Sequence, residues 1–263
     1  MQATWQATWP WRHVLITGAS SGIGRALAEA LAAPGVTLHL GGRDAARLAE
    51  VAAACAARGA TVRPHQADVR DAAAMAAWFG GAGPLDLVFA NADIGAGTGS
   101  GFESAADARR VFETNITGVL NTVEPAVAAM AAQAPGAHGV RGRIAVVASV
   151  AAFIATPGAP AYAAAKAAVQ RWAEALDATE KRRGIRLHSI CPGYIRTPLT
   201  AHNRFPMPLL MEPEEAARRT LRGLAAGRIR VVYPWPIYAL ARLVGALPPA
   251  WRAALMQRFP GKD

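Results

Sequence analysis

Acidic residues are scarce. Against 28 lysines and arginines stand 18 aspartates and glutamates, a formal charge of +10, and no acid occurs from Ala216 to Lys262. Lysine is also scarce, so arginine carries most of the positive charge. Phosphate backbones attract such surfaces, but basic residues are not interleaved with aromatics to make a base-stacking platform, so nucleic acid is not an expected partner. The only cysteines in 263 residues are Cys55 and Cys191. Two cysteines exclude a disulfide scaffold, and they show no metal or redox spacing. They read as buried thiols of a reducing compartment, which makes a cytoplasmic protein without a metal site the expectation. The opening Met-Gln-Ala-Thr-Trp-Gln-Ala-Thr-Trp-Pro-Trp lacks the basic front and apolar centre of a secretory signal. Its doubled Gln-Ala-Thr-Trp is too short to be a structural repeat. Charge is missing from Ile144 to Ala165 as well, which imitates a membrane span. Pro157, Gly158 and Pro160 interrupt that stretch and favour a soluble chain.

What is present is a globular composition, 52% hydrophobic and 17% charged. Length and composition suit one α/β domain over residues 1–263, with an irregular start over 1–12 and a helical extension over 234–263. Short β-branched runs predict strands over 13–17, 36–40, 61–65, 86–90, 143–148, 185–191 and 228–232. Helical stretches fill the gaps, among them 44–58 and one starting near Pro160. Such alternation demands parallel pairing through right-handed crossovers, hence a three-layer Rossmann-type doubly wound sheet. Ligands then bind at the carboxyl ends of the strands.

The first strand runs straight into Gly18-Ala-Ser-Ser-Gly22-Ile-Gly24, followed by a helical stretch with Ile23, Leu27 and Leu31 on one face. Strand, glycine turn and helix together form a phosphate-binding arrangement. The glycines let the backbone approach a pyrophosphate, and the helix N-terminus supplies amides and a positive dipole end. Further on, Tyr162 and Lys166 lie four apart on one helix face. An ammonium beside a phenol favours the phenolate and opposes the reference pKa of about 10, giving a tyrosine able to exchange a proton near neutral pH. Ser149 ends the strand before, where its hydroxyl would hold a substrate oxygen. The plain alternative is a packed ring and a solvated amine.

The Thr-Gly-x-x-x-Gly-x-Gly spacing resembles the short-chain dehydrogenase/reductase family, in its compact single-domain branch, and later motifs match in order. Asn91-Ala92 follows the fourth strand, where the family has Asn-Ala-Gly. Asn115 opens Asn-Ile-Thr-Gly, Ser149, Tyr162 and Lys166 match the catalytic trio, and Pro192-Gly193-Tyr-Ile195-Arg-Thr197 matches the turn over the nicotinamide. The resemblance covers about residues 13–232. It implies hydride transfer between a nicotinamide and a carbonyl/alcohol pair, with Tyr162 as general acid/base and Ser149 on the reacting oxygen. Lys166 would hold the ribose hydroxyls and lower the phenol's pKa, and Asn115 would order a water. The cofactor would lie on Gly18, Ser20, Ser21, Gly22, Ile23 and Gly24, on Asp68 and Val69 at the adenine, on Asn91, Ala92, Tyr162 and Lys166, and under Pro192, Gly193, Ile195 and Thr197. Pairing through the long helices after Ala105 and Pro160 would give a homodimer or homotetramer.

Where the family places an acid for the ribose of NAD, this chain has Gly42 followed by Arg43, so NADP(H) is favoured over NAD(H), with Arg43 on the 2′-phosphate. The alternative pairs Arg43 with Asp44 at a turn. Ser21, where many NADP users carry a second basic residue, counts the other way. Asp68 is either an adenine contact or the N-cap of the helix that follows. Asp93 replaces the family's third glycine. Capping of the Ile94-Gly95 loop is its expected role, and the alternative points a carboxylate at the nicotinamide. Phe153, Ile154, Tyr194, Leu199, Phe205, Met207, Leu209, Leu210 and Met211 are expected to line an apolar pocket, so a hydrophobic ketone or alcohol fits better than a sugar. Two amphipathic tail helices broken at Pro248-Pro249 would carry an apolar face of Leu240, Leu243, Val244 and Leu247. They would pack on the domain or a second subunit in preference to an anionic membrane surface. The competing readings are a dinucleotide-binding regulator without turnover and a membrane-surface protein. An epimerase would need a larger C-terminal region.

Overall fold

The computed structural model describes residues 9–95, 102–201, 203 and 206–256. Seven strands, β1 (His13–Ile16), β2 (Thr37–Gly42), β3 (Thr61–Gln66), β4 (Leu87–Ala90), β5 (Gly142–Val147), β6 (Ile185–Pro192) and β7 (Arg230–Tyr233), form one sheet in the order β3-β2-β1-β4-β5-β6-β7. Every neighbouring pair is parallel. Each predicted strand is therefore present, and the strand order reverses between β1 and β4. That reversal opens a crevice at the carboxyl ends of those two strands.

Burial on both faces explains the unbroken apolar runs. In β1, Val14 and Ile16 enter a core with Leu27, Leu38 and Phe89, whereas Leu15 points to the opposite side with Val88, Ile144 and Leu187. The crossovers are α1 (Gly22–Leu31), α2 (Ala45–Ala56), α3 (Ala72–Gly80), α4 (Ala105–Phe112), α5 (Gly118–Ala132), α6 (Pro160–Glu180) and α7 (Pro213–Ala225), with α8 (Trp235–Gly245) and α9 (Pro249–Met256) at the end. The Asp44, Asp71 and Ser104 side chains accept from the amides of Arg47, Ala74 and Asp107 and so start α2, α3 and α4. Asp71, not Asp68, caps α3. Among the described residues, no helix is long and apolar enough to cross a membrane.

Residues 9–12 form no helix or strand, yet Trp11 is buried in the core and stacks on Trp9, and Asp86 accepts from the Arg12 and His13 amides. The tail does break into two helices before Pro249, but Leu240 and Leu243 face outward. Ala241 is buried instead, and a Cβ at Gly245 would stand 2.0 Å from the Phe153 carbonyl oxygen. Close approach selected small residues at that contact, not leucines.

Asp177 ties the last turns of α6 to β6. Its Oδ1 accepts from Leu187 N and Arg186 Nε, both at 2.9 Å, and its Oδ2 from Arg186 Nη2 at 3.1 Å. Burial alone would raise this carboxyl, but the Arg186 and Leu187 hydrogen bonds prevail and hold it below its ordinary range. Its contribution is thus present above the unfolded carboxyl's pKa and fades as pH falls through the folded one. Asp177→Ala strands a largely buried guanidinium and is expected to cost about 3 kcal/mol in denaturant unfolding. An equal stability for variant and wild type would refute this account.

Candidate active site

The crevice between β1 and β4 is a cavity of about 770 Å³. Gly18 has φ 66°, and a Cβ at Gly24 would stand 2.3 Å from the Gly18 carbonyl oxygen, so this turn accepts nothing larger. Hydrogen bonds stitch it to the turn after β4. Thr17 Oγ1 donates to Phe89 O and accepts from the amides of Asn91 and Ala92 at 3.0 and 3.2 Å. Asn91 Nδ2 donates to Thr17 O at 2.9 Å and Gly18 O at 3.2 Å. Ser21, at the N-cap of α1, makes no capping bond, which leaves the first-turn amides of that helix for an anion. These features suit a dinucleotide's phosphates.

Most of the predicted cofactor residues line this one cavity: Gly18, Ser20, Ser21, Gly22, Ile23, Arg43, Asp68, Val69, Asn91, Ala92, Tyr162, Pro192, Gly193, Ile195 and Thr197. Gly24 and Lys166 lie behind its surface. The Arg43–Asp44 pairing is not formed. Asp44 is taken by Arg47, whose Nε is 2.6 Å from Asp44 Oδ2. Arg47 also lines the cavity, and the sequence reading missed it. Asp68 is held by Arg70, with Nη2 at 2.6 Å, and this bond keeps the carboxyl below its ordinary range.

The trio converges. Tyr162 lies half-buried in the cavity and shares a hydrogen bond with Ser149. Ser149 Oγ also accepts from the Ala151 amide at 3.1 Å and donates to Pro192 O at 3.4 Å. Lys166, 1% exposed, places Nζ 5.5 Å from the Tyr162 ring centre and donates to Val147 O at 2.9 Å. Its other partner is Asp93, with Oδ2 at 3.0 Å. The expected cap is not what positions the neighbouring residue, since the Ile94 amide goes to Asn115 Oδ1. Nor is the phenol lowered as the sequence suggested. Burial raises its pKa, Asp93 raises it further, and the Ser149 hydrogen bond opposes them.

Asn115 is completely buried in a π-helical turn, Glu113–Thr117, between α4 and α5. Such turns are frequent at functional sites. Its side chain clamps Ile94 from both directions, accepting from the amide at 2.9 Å and donating to the carbonyl at 2.8 Å. The carboxamide thus holds the loop that carries Asp93. Glu103 is a second residue the sequence did not reveal. Its carboxylate accepts from the Ala161 amide at 3.0 Å and starts α6, whose N-cap Ala159 has no side chain to do so.

The expected substrate residues are not gathered in one place. Phe153 and Ile154 line a different cavity, of about 890 Å³, between α6, α8 and α9. Phe153 is held there edge-on to Tyr238, with the Arg230 and Arg242 guanidiniums over its ring. Tyr194 lies outside the first cavity's lining, and its backbone carbonyl accepts from the Met211 amide. Met211 packs against the core, and Met207 Sδ accepts from Asn203 at 3.4 Å. Ile94, Pro198 and Leu199 supply the apolar wall of the crevice. Phe205 lies outside the described residues.

A sequence profile described as short chain dehydrogenase matches residues 12–206. An uncharacterized oxidoreductase of Myxococcus xanthus is 36% identical over 242 residues, 90% of this chain and 93% of the relative. A short-chain dehydrogenase/reductase of Burkholderia phymatum, solved with NAD, superposes with TM-score 0.78 at 26% identity over 96% of this chain and 97% of its own. A short-chain dehydrogenase of Burkholderia cenocepacia, solved with NADP, gives 0.77 at 26% identity over 92% and 96%.

Removing the Asn115 carboxamide strands the half-buried amide and carbonyl of Ile94. Asn115→Ala is expected to lower stability by about 2 kcal/mol, read as a shift in the urea midpoint, and an unchanged midpoint would dismiss the clamp.

Proposed function

The chain belongs to the short-chain dehydrogenase family and is an NAD(P)-dependent oxidoreductase; within that class we propose an NADP(H)-preferring enzyme acting on the carbonyl or secondary alcohol of a hydrophobic small molecule. One observation carries the reading: Ser149, Tyr162 and Lys166 meet at the wall of the same crevice that opens on the Gly18–Gly24 turn. A serine and tyrosine in mutual hydrogen-bond contact offer a carbonyl oxygen two adjacent donors. A phenol held high in pKa is protonated at neutral pH and ready to serve as a general acid.

The cofactor, when bound, supplies or accepts the hydride. The amides of α1 and the glycine turn would hold its pyrophosphate, Asp68 and Val69 would flank the adenine, and Lys166 would meet the ribose hydroxyls nearer the reacting ring. Pro192, Gly193, Ile195 and Thr197 would close over that ring. One neighbouring structure was solved with NAD and another with NADP, so the preference rests on this chain's own residues. β2 ends on Gly42, Arg43 follows it into the cleft, and the one acid beside them, Asp44, is paired with Arg47, which also reaches the cleft. Both arginines suit a 2′-phosphate. Ile94, Pro198 and Leu199 support a hydrophobic substrate.

Tyr162→Phe is expected to depress turnover at least about a hundredfold while NADPH, followed by its fluorescence, still binds. Full activity in that variant would remove the mechanism. Arg43→Ala is expected to weaken NADPH about tenfold and leave NADH unchanged; equal losses for both cofactors would overturn the preference.

A further inference from the structure

We propose that Asp93 is the counter-ion of Lys166 and, through it, a positioning residue for proton donation by Tyr162, suiting the site to carbonyl reduction at neutral pH and leaving alcohol oxidation to alkaline conditions. The proposal rests on the redox reading above and deepens it.

The geometry begins with how residue 93 is held. On one side the Asn91 and Ala92 amides are fixed on Thr17, and on the other both polar backbone groups of Ile94 are fixed on Asn115. The carboxylate between these clamps has its Oδ2 3.0 Å from Lys166 Nζ, with 23% of the side chain exposed toward the cleft. A glycine, which the family resemblance implies here, would leave the ammonium with Val147 O alone among the described residues. An ammonium lowers a neighbouring phenol because its charge favours phenolate. Paired at this distance, Lys166 and Asp93 present a compact dipole, and the phenol no longer sees an isolated cation.

The charged and titratable groups around the phenol come from four elements. Lys166 shares α6 with it, and Asp93 follows β4. Glu103, before α4, is bound to the Ala161 amide. Cys191 of β6 lies close to Lys166, but burial pushes its thiol up to about 12, so it stays neutral. Beyond it Arg230 and Glu174 neutralise one another. Of these groups Asp93 is the one that adds to burial in disfavouring the phenolate, with Ser149 opposing. In reduction the reduced nicotinamide would supply a hydride to the carbonyl carbon while the phenol O–H bond breaks and its proton goes to the carbonyl oxygen, and water reprotonates the phenolate after the alcohol leaves. Oxidation needs the phenolate first. Asp93 delays that form to higher pH without altering the overall equilibrium.

Tyrosinate absorbance gives a test independent of turnover. Subtracting the alkaline titration of Tyr162→Phe from that of the wild type isolates the Tyr162 ionisation. Asp93→Asn and Asp93→Gly, each with its own Tyr162→Phe control, are expected to ionise at least about one pH unit earlier than wild type, with Asp93→Glu restoring the wild-type onset. The ascending limb of kcat/KM for alcohol oxidation should move down by the same amount, with NADPH still bound. An onset unchanged or raised in folded Asp93→Asn overturns the proposal. An earlier onset in an enzyme that turns over no alcohol or ketone upholds the Asp93–Lys166 assignment and counts against the redox reading instead.

Discussion

An ammonium removed from water costs several kcal/mol unless acceptors replace its hydration, and Lys166 is almost wholly buried. Its acceptors come from the ends of two adjacent strands, Val147 at the end of β5 and Asp93 just beyond β4. Those ends are neighbours because β4 pairs with β5 in parallel, with Ala90 opposite Val146. The right-handed crossover after β5 then carries α6 back over them, bringing Lys166 within reach and Tyr162 one helical turn earlier. The site is thus a consequence of strand order. An antiparallel β5, or a slip of one residue in its register, would turn the Val147 end away and leave the charge unmet.

The opposite wall of the crevice is organised by uncharged groups. Thr17 and Asn91 exchange hydrogen bonds across the switch in strand order, so the glycine turn after β1 and the loop after β4 behave as one unit. Asn115 extends that unit through Ile94 into the π-turn between α4 and α5. Buried polar networks of this kind are costly when partly satisfied and specify geometry when complete. Here completeness fixes the loop backbone on both sides of Asp93, which is what allows a short side chain to meet a lysine from a different crossover.

Much of this architecture was legible because parallel strands buried on both faces announce themselves as short β-branched runs. The predicted 61–65 and 185–191 differ from β3 and β6 by a residue at one end. The glycine turn, Asn91, Asn115, Ser149, Tyr162 and Lys166 were readable as ordered motifs, and the structure gathers them around one crevice. What the sequence did not disclose were relations without local periodicity. The partner of Asp93 is 73 positions away, and the residue's turn propensity pointed to a cap. Glu103 starts α6 from a distant segment, and Arg47 was overshadowed by the arginine beside the glycines. Leu240 and Leu243 read as an apolar face, but the face that α8 turns to its own domain is set by how closely its backbone must approach the turn after Ser149. Phe153 was expected in an apolar pocket over the nicotinamide, whereas the turn after Ser149 swings its ring into the other cavity.

That turn shows how the Ser149 hydroxyl is held by parts of the molecule that do not line the crevice. Val150–Phe153 forms a single 3-10 turn directly after Ser149. Its far end is packed under Gly245 of α8, and the Phe153 ring is fixed by Tyr238 and two guanidiniums. Arg230 is in turn bound to Glu174 of α6 and to the Tyr238 hydroxyl. The helix bearing Tyr162 and Lys166 and the turn bearing Ser149 are therefore braced against the same residues of β7 and α8. The segment between β6 and α7 is attached differently. It is pinned where Met211 pairs with Tyr194 and Arg196 and where Thr200 folds back on Ile195 and Thr197. Leu199 on the cleft wall thus belongs to a segment anchored at Ile195, Thr197 and Met211, apart from the β7 and α8 residues that hold the Ser149 turn and α6.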